Sequence, residues 1–274
     1  LYRGSMTDQA FSSRVTTDTK IELGESAFNR ILQPFQKQFT PIGDLVFKPH
    51  TLQLYRLKAD FEFWPDDLVE TWLGFLTDTA EEDRKKWPLV RWFIEVHYKN
   101  QIDEDYETNE IFDGVYAAPT PGTAGAAGTS MNGIKKIRAD HITAGDITPI
   151  VVGAVPTDPA TFVTYIETFC KSVDKKYWKM GMVLNMSEDL ELRFREGMDA
   201  KYNTNYAQES NRTKVRNFNV TVRGLESHNG STIIWMTPAW NAMVYTRRNG
   251  DIPRVENDIR LVQIYWDFWK GIGF

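Results

Sequence analysis

The chain has 274 residues, 42% of them hydrophobic and 25% charged, with a net charge of -5, which is the balance of a globular protein with a sizeable core and not of a disordered one. No apolar run approaches the ~20 residues that cross a bilayer. No basic segment followed by an apolar stretch marks a signal peptide, and no basic surplus or stripe marks a nucleic-acid binder. Cys170 is the single cysteine, so no disulfide forms within the chain, as expected of a protein made in a reducing cytoplasm.

Taken in chain order, Gly4-Ser5-Met6 reads as a tag remnant joined to a methionine, so residues 1–5 are expected to lie outside the fold. Residues 7–39 read as an arm. Phe28, Ile31, Leu32 and Phe35 recur at three- and four-residue steps, which predicts one or two helical turns broken by Pro34. Over residues 44–63 the pattern turns extended: Val46, Leu52, Leu54, Leu57, Phe61 and Phe63 alternate with polar neighbours. Pro41, Pro49 and Pro65 punctuate this stretch, which favours a projecting two-stranded hairpin over a central sheet. Asp66 and Asp67 then open a helix with Leu68, Trp72 and Leu76 on one side.

Residues 88–112 are the longest helix candidate. Leu89, Trp92, Phe93, Val96, Tyr106 and Ile111 form its apolar stripe, Pro88 suits the first turn and Gly114 the end. Residues 117–129 are almost all Ala, Pro, Gly and Thr, a linker or surface loop. The second half reads as an α+β unit. Asp158-Pro159 starts a helix with Phe162, Tyr165, Ile166 and Phe169 inward. A strand covers residues 180–186, and Ser187 caps a helix lined by Leu190, Phe194 and Met198. Strands are then expected over residues 218–222, 232–236, 242–246 and 259–269.

Catalytic patterns are scarce. No two of His50, His97, His141 and His228 lie within four positions, so a metal site would have to be assembled from distant parts of the chain, and none is expected. Cys170 sits on an apolar helix as an inert thiol. Residues 122–128 lack the Gly-Lys-Ser/Thr ending of a phosphate loop. The acids Asp103, Glu104, Asp105, Glu107, Glu110 and Asp113 are the one cluster that would support a hydrolase. Consecutive helical positions point them in several directions, so a solvated acidic face is expected instead. No catalytic residue and no cofactor are assigned.

The order of elements carries a resemblance: arm, proline-punctuated hairpin, long helix, small-residue loop, helix-and-strand unit, returning strands. Local stretches add to it. Met186-Ser187-Glu188-Asp189-Leu190 through Lys201-Tyr202, Gly224-Leu225 with the turn at His228-Asn229-Gly230, and Thr237-Pro238 with Asn241-Ala242-Met243-Val244 are similar to segments of one family. The chain resembles the major capsid proteins of tailed bacteriophages, which have the HK-ninety-seven-type fold. The closing stretch from Asp267 to Phe274 is similar to capsid proteins of phages of Bacteroides-type hosts.

The resemblance implies an α+β capsid fold with an N-terminal arm (residues 6–39), an extended E-loop (40–72), a peripheral domain with a spine helix (73–130 and 237–274) and an axial domain (131–236). It implies a structural, non-enzymatic protein that assembles with itself, as pentamers and hexamers, into an icosahedral shell. That shell encloses double-stranded DNA without sequence-specific contact and without a membrane. A scaffolding protein or protease is a further partner the family allows, and the implied location is the virion, after synthesis in the bacterial host cytoplasm. Leu52, Leu54, Phe61 and Trp64 are the candidate subunit-interface residues, as the apolar face of a hairpin that lies on a neighbour. An encapsulin-type nanocompartment is the alternative within the fold, and a hydrolase using residues 103–113 the alternative outside it.

Overall fold

The computed structural model of the chain describes residues 4–16, 18–28, 30–202, 212–248 and 253–274. The first half holds α1 (Met6–Ala10), β1 (Ser12–Thr16), β2 (Lys20–Phe28), β3 (Leu45–Gln53), β4 (Tyr55–Phe63) and α2 (Pro65–Thr77). The long helix α3 follows over residues 89–110. In the second half come α4 (Ile134–Ala144), α5 (Pro159–Ser172), β5 (Met182–Ser187) and α6 (Glu188–Tyr202). The last strands are β6 (Val220–Leu225), β7 (Trp235–Pro238), β8 (Met243–Arg247), β9 (Arg254–Asp258) and β10 (Leu261–Gly273).

Three sheets result. The main sheet runs β1-β8-β10-β4, with β9 also paired to β10. Its organiser is β10, 13 residues long. One edge of β10 pairs antiparallel with β4 from Val262–Phe63 to Lys270–Tyr55. The other edge is shared by β9, from Leu261 to Tyr265, and β8, from Lys270 to Gly273. A small sheet, β6-β5-β7, carries α5 and α6 on one face. A separate ribbon consists of β2 and β3 alone.

Helix α3 is continuous, as the stripe over residues 88–112 predicts. Its α-helical stretches Leu89–Phe93 and Lys99–Asp105 alternate with wider π turns, Ile94–Tyr98 and Tyr106–Glu110. At 1.5 Å per residue it spans about 30 Å, and wide turns rotate later side chains relative to earlier ones. Trp92, Phe93 and Tyr98 pack with Phe63, Val262 and Ile264, whereas Tyr106, Ile111 and Phe112 pack in a second cluster with Tyr55, Leu57 and Val244. One helix therefore braces both ends of the main sheet. Behind it, Gly114 lies so close to the helix end that a Cβ there would stand 2.4 Å from the Glu110 carbonyl oxygen.

The second-half helices start where the sequence predicts. Asp158 accepts the Thr161 N–H at 2.8 Å and Pro159 takes the first helical position. Phe162, Ile166, Leu190, Phe194 and Met198 are all buried. The two helices touch at Gly197, where a Cβ would meet the Pro159 carbonyl oxygen at 2.1 Å.

Three sequence expectations are corrected. The helical turns expected around Phe28 and Phe35 are absent: residues 20–28 are strand β2, and residues 30–44 carry no helix. The hairpin expected over residues 44–63 does not pair with itself. At Leu54 the chain passes from one sheet to another, so β3 pairs with β2 and β4 with β10. Ser5, expected outside the fold, is buried and caps α1 by accepting the Asp8 N–H at 3.1 Å.

Candidate functional site

The acidic cluster divides: Glu104, Asp105 and Asp113 are exposed, as a solvated face would have them, whereas Glu107 and Glu110 turn inward. Glu107 is fully buried. One of its carboxylate oxygens accepts from Ser5 Oγ and from the Thr7 N–H (3.1 Å). The other accepts from Thr7 Oγ1 and from the Ser227 N–H (3.2 Å). Two turns of chain separated by more than a hundred residues thus converge on one carboxylate. Glu110, also buried, accepts the Gly128 and Ser130 N–H groups at 2.9 and 3.0 Å. These bonds close the neck of the small-residue loop with the 2.8 Å bond from Val115 N–H to Gly128 O. Asp113 pairs with Lys135 at 2.8 Å at the surface. Burial raises the carboxyl of Asp103 above its usual range. Fixed donors hold both buried acids as structural pins: Glu107 accepts four bonds, and Glu110 accepts one on each oxygen.

The other candidate chemistry is equally committed. Burial pushes the Cys170 thiol up to about 12, which leaves it protonated and inert. Burial lowers His228 to about 4, and its ring lies 4.1 Å from the Phe112 ring, centroid to centroid. His97 is exposed and packs edge-on against Trp92. Among the described residues, the group that could hold a metal is His50 with His141 and Asp146, which the sequence left unconnected.

The most conspicuous surface is the ribbon. Nine residues in each strand give it a length of about 30 Å. Along β3 only Leu52 is buried. Beyond the strands, the tip presents Ile31, Leu32, Phe35, Phe39 and Ile42 to solvent, with Phe35 93% and Phe39 91% exposed. Val46 and Phe47, on opposite faces of β3, are exposed as well. Apolar side chains exposed together at the end of a two-stranded ribbon mark an interaction site.

The four predicted interface residues divide. Leu52 and Leu54 are 8% and 2% exposed and pack with Met243 and Tyr245 at the root of the ribbon. They belong to this chain's own core. Phe61 and Trp64 are 46% and 53% exposed. Phe61 stacks on Phe93 at 5.5 Å, and Trp64 precedes the first turn of α2. The exposed tip residues were missed because their spacing reads as helical. The signal available was the pair Phe35 and Phe39, two aromatics between Pro34 and Pro41 with no partner segment of their own.

No protein-family model matches the sequence, and no curated protein matches it. Solved structures do resemble the fold. A chain of the satellite phage P4 procapsid including the size determination (Sid) protein superposes with a TM-score of 0.59 at 9% identity, covering 98% of this chain and 83% of that one. A chain from Mycobacterium phage Bobi gives 0.54 at 11% identity, with 100% and 85% covered. The capsid of an empty GTA particle gives 0.51 at 11%, with 99% and 86% covered. These likenesses show the fold, an α+β architecture of the HK-ninety-seven capsid type.

Proposed function

We propose that this chain is a major capsid protein, a structural subunit that assembles with copies of itself into the icosahedral shell of a tailed phage. The observation that carries the proposal is the exposed apolar tip of the ribbon on a fold of the capsid type. A lone subunit leaves Phe35 and Phe39 in water, and a neighbouring copy would cover them at the cost of few ordered residues, since the ribbon strands are already formed. Contacts of this head-to-tail kind close rings when the rotation allows it.

In family terms, the projecting E-loop role falls to residues 20–53 and not to 40–72. Helix α3 takes the role of the spine and the main sheet that of the peripheral domain. The small sheet with α5 and α6 takes the role of the axial domain. Phe61 and Trp64 remain candidate interface residues on the body. The acidic charge balance suits a container that does not hold its double-stranded DNA tightly. No helix among the described residues is long and apolar enough to cross a membrane.

The finer reading is a non-enzymatic virion protein of a Bacteroides-type phage, made in the host cytoplasm and assembled as pentamers and hexamers with a scaffolding protein or protease as helper. It rests on the resemblance of the closing stretch and on the family's habits. The experiment that tests the function is assembly of the purified protein with and without the tip. Wild type should form shells, and Phe35→Ser with Phe39→Ser should not, while both fold alike. A tip variant that assembles as wild type does would refute the proposal.

A further inference from the structure

We propose that His50, His141 and Asp146 form a binding site for one divalent ion of the zinc class, which clips the ribbon to the body of the subunit. The three residues come from two separate parts of the chain. His50 lies on β3, opposite Leu23 of β2. His141 lies in the last turn of α4. Gly145 ends that helix in the left-handed conformation (φ +80°), and the Asp146 N–H then donates to the His141 carbonyl at 2.9 Å. This C-cap turns Asp146 back beside the histidine of the same helix.

One ligand atom from each residue lies within 4.8 Å of the other two. Oδ2 of Asp146 stands 3.2 Å from Nδ1 of His141 and 3.9 Å from Nδ1 of His50. A tetrahedral ion with bonds of about 2.1 Å holds its ligand atoms about 3.4 Å apart. The His141–Asp146 pair is near that spacing, and His50 must close by about 0.5 Å on Asp146 and by at most about 1.4 Å on His141, a side-chain adjustment. The imidazoles lie 5.4 Å apart, centroid to centroid, so both rings flank the same space.

The chemistry selects the ion. Two imidazoles and a carboxylate suit zinc and its first-row neighbours, whereas calcium and magnesium take oxygen ligands. The three side chains keep 26, 22 and 20% of their surface in solvent in the order of sequence, although Asp146 as a whole residue is exposed through its backbone. They are held in place yet reachable, and a water would fill the fourth position. Lys48 approaches the other carboxylate oxygen, Oδ1, at 3.6 Å. It would orient the carboxylate from outside, as outer groups do at metal sites. At the surface this ion pair is weak, so it does not outcompete a metal for Asp146. Because one ligand is on the ribbon and two are on the body, a bound ion would fix the angle between them.

The test is calorimetric titration of zinc chloride into the purified full-length chain, with His50→Ala, His141→Ala and His97→Ala as variants. One ion should bind per chain at micromolar concentration or tighter. Loss of an outer partner alone costs a metal site 10- to 100-fold, so removing either ligand should weaken binding by about tenfold or more. His97→Ala should bind as wild type does. Cobalt(II) serves as a second probe: its visible absorption should show tetrahedral coordination in wild type and lose it in His50→Ala. Absence of saturable binding, or binding unchanged by both ligand substitutions, would overturn the proposal. The readout is binding to the chain in solution, so it stands or falls separately from shell assembly.

Discussion

Trp235 donates its indole N–H to Nε2 of His228 at 2.9 Å, and this bond sets the direction of the hydrogen bonds that run from there to Glu107. An indole only donates, so Nε2 accepts, and the neutral ring carries its proton on Nδ1. Nδ1–H then donates to Ser227 Oγ at 3.0 Å. Ser227 passes its hydroxyl proton toward Thr7 Oγ1 at 2.9 Å, and Thr7 donates to Glu107. Each hydroxyl gives once and accepts once. The chain of bonds joins the first residues of the fold, the long helix and the β6–β7 connection, so these parts share one polar lock inside an apolar core.

The lock makes stability depend on pH through His228. Its folded-state value is about 4 against an ordinary 6.5, so the folded protein favours the neutral ring. The contribution is complete above pH 6.5 and is lost as pH falls from there toward 4. At 1.36 kcal/mol for each unit, the loss amounts to about 3 kcal/mol. An imidazole titration followed by NMR should find this ring neutral down to about pH 4; a midpoint at the ordinary value would show that the lock is open to water.

Glu107→Ala removes the acceptor of four buried donors at once. Each orphaned donor is costly, and the expected destabilisation is about 3 kcal/mol or more, read as a lower urea midpoint. Asp105→Ala, on the same helix but exposed, should change the midpoint by no more than about 0.5 kcal/mol. Equal effects at the two positions would mean that Glu107 is solvated.

Trp92 is 2% exposed, against Phe75 on α2. Trp92→Asp places an unpaired charge there and should cost roughly 3–5 kcal/mol. A soluble variant that melts cooperatively near the wild-type temperature would remove α3 from the core.

How far these features were legible in the sequence depended on how local their causes are. Asp158 with Pro159, and the four-residue steps Leu190, Phe194, Met198, announce their helices because a cap and a buried face are local properties. The stripe from Leu89 to Ile111 announced α3 but not its π turns, which serve two clusters far apart in sequence. The ribbon was misread because alternation continues through β3 and β4 alike, and nothing local reveals that Leu54 is a crossing between sheets. Glu107 looked like one acid among several: its partners Ser5, Thr7 and Ser227 are brought to it only by the finished fold. The same holds for His50 and His141, which are 91 positions apart in the numbering.

The two parts of the ribbon should respond differently to the same substitution. Leu54→Ser opens the root packed on Met243 and Tyr245 and should cost about 3 kcal/mol in the isolated subunit. Phe35→Ser and Phe39→Ser alter side chains already in water and should change subunit stability by no more than about 0.5 kcal/mol. Thermal melts of the dilute protein distinguish the two; a tip variant that unfolds early would place Phe35 and Phe39 in the core.

The exposed Phe35 and Phe39 give this fold its means of building a shell through the ribbon tip. Negative-stain microscopy of the concentrated protein, wild type beside the Phe35→Ser, Phe39→Ser double variant, tests it most directly. Wild type should give closed particles of uniform size, and the variant only dispersed subunits or small rings. Dispersed wild-type subunits at every concentration, or particles formed equally well by both proteins, would contradict it.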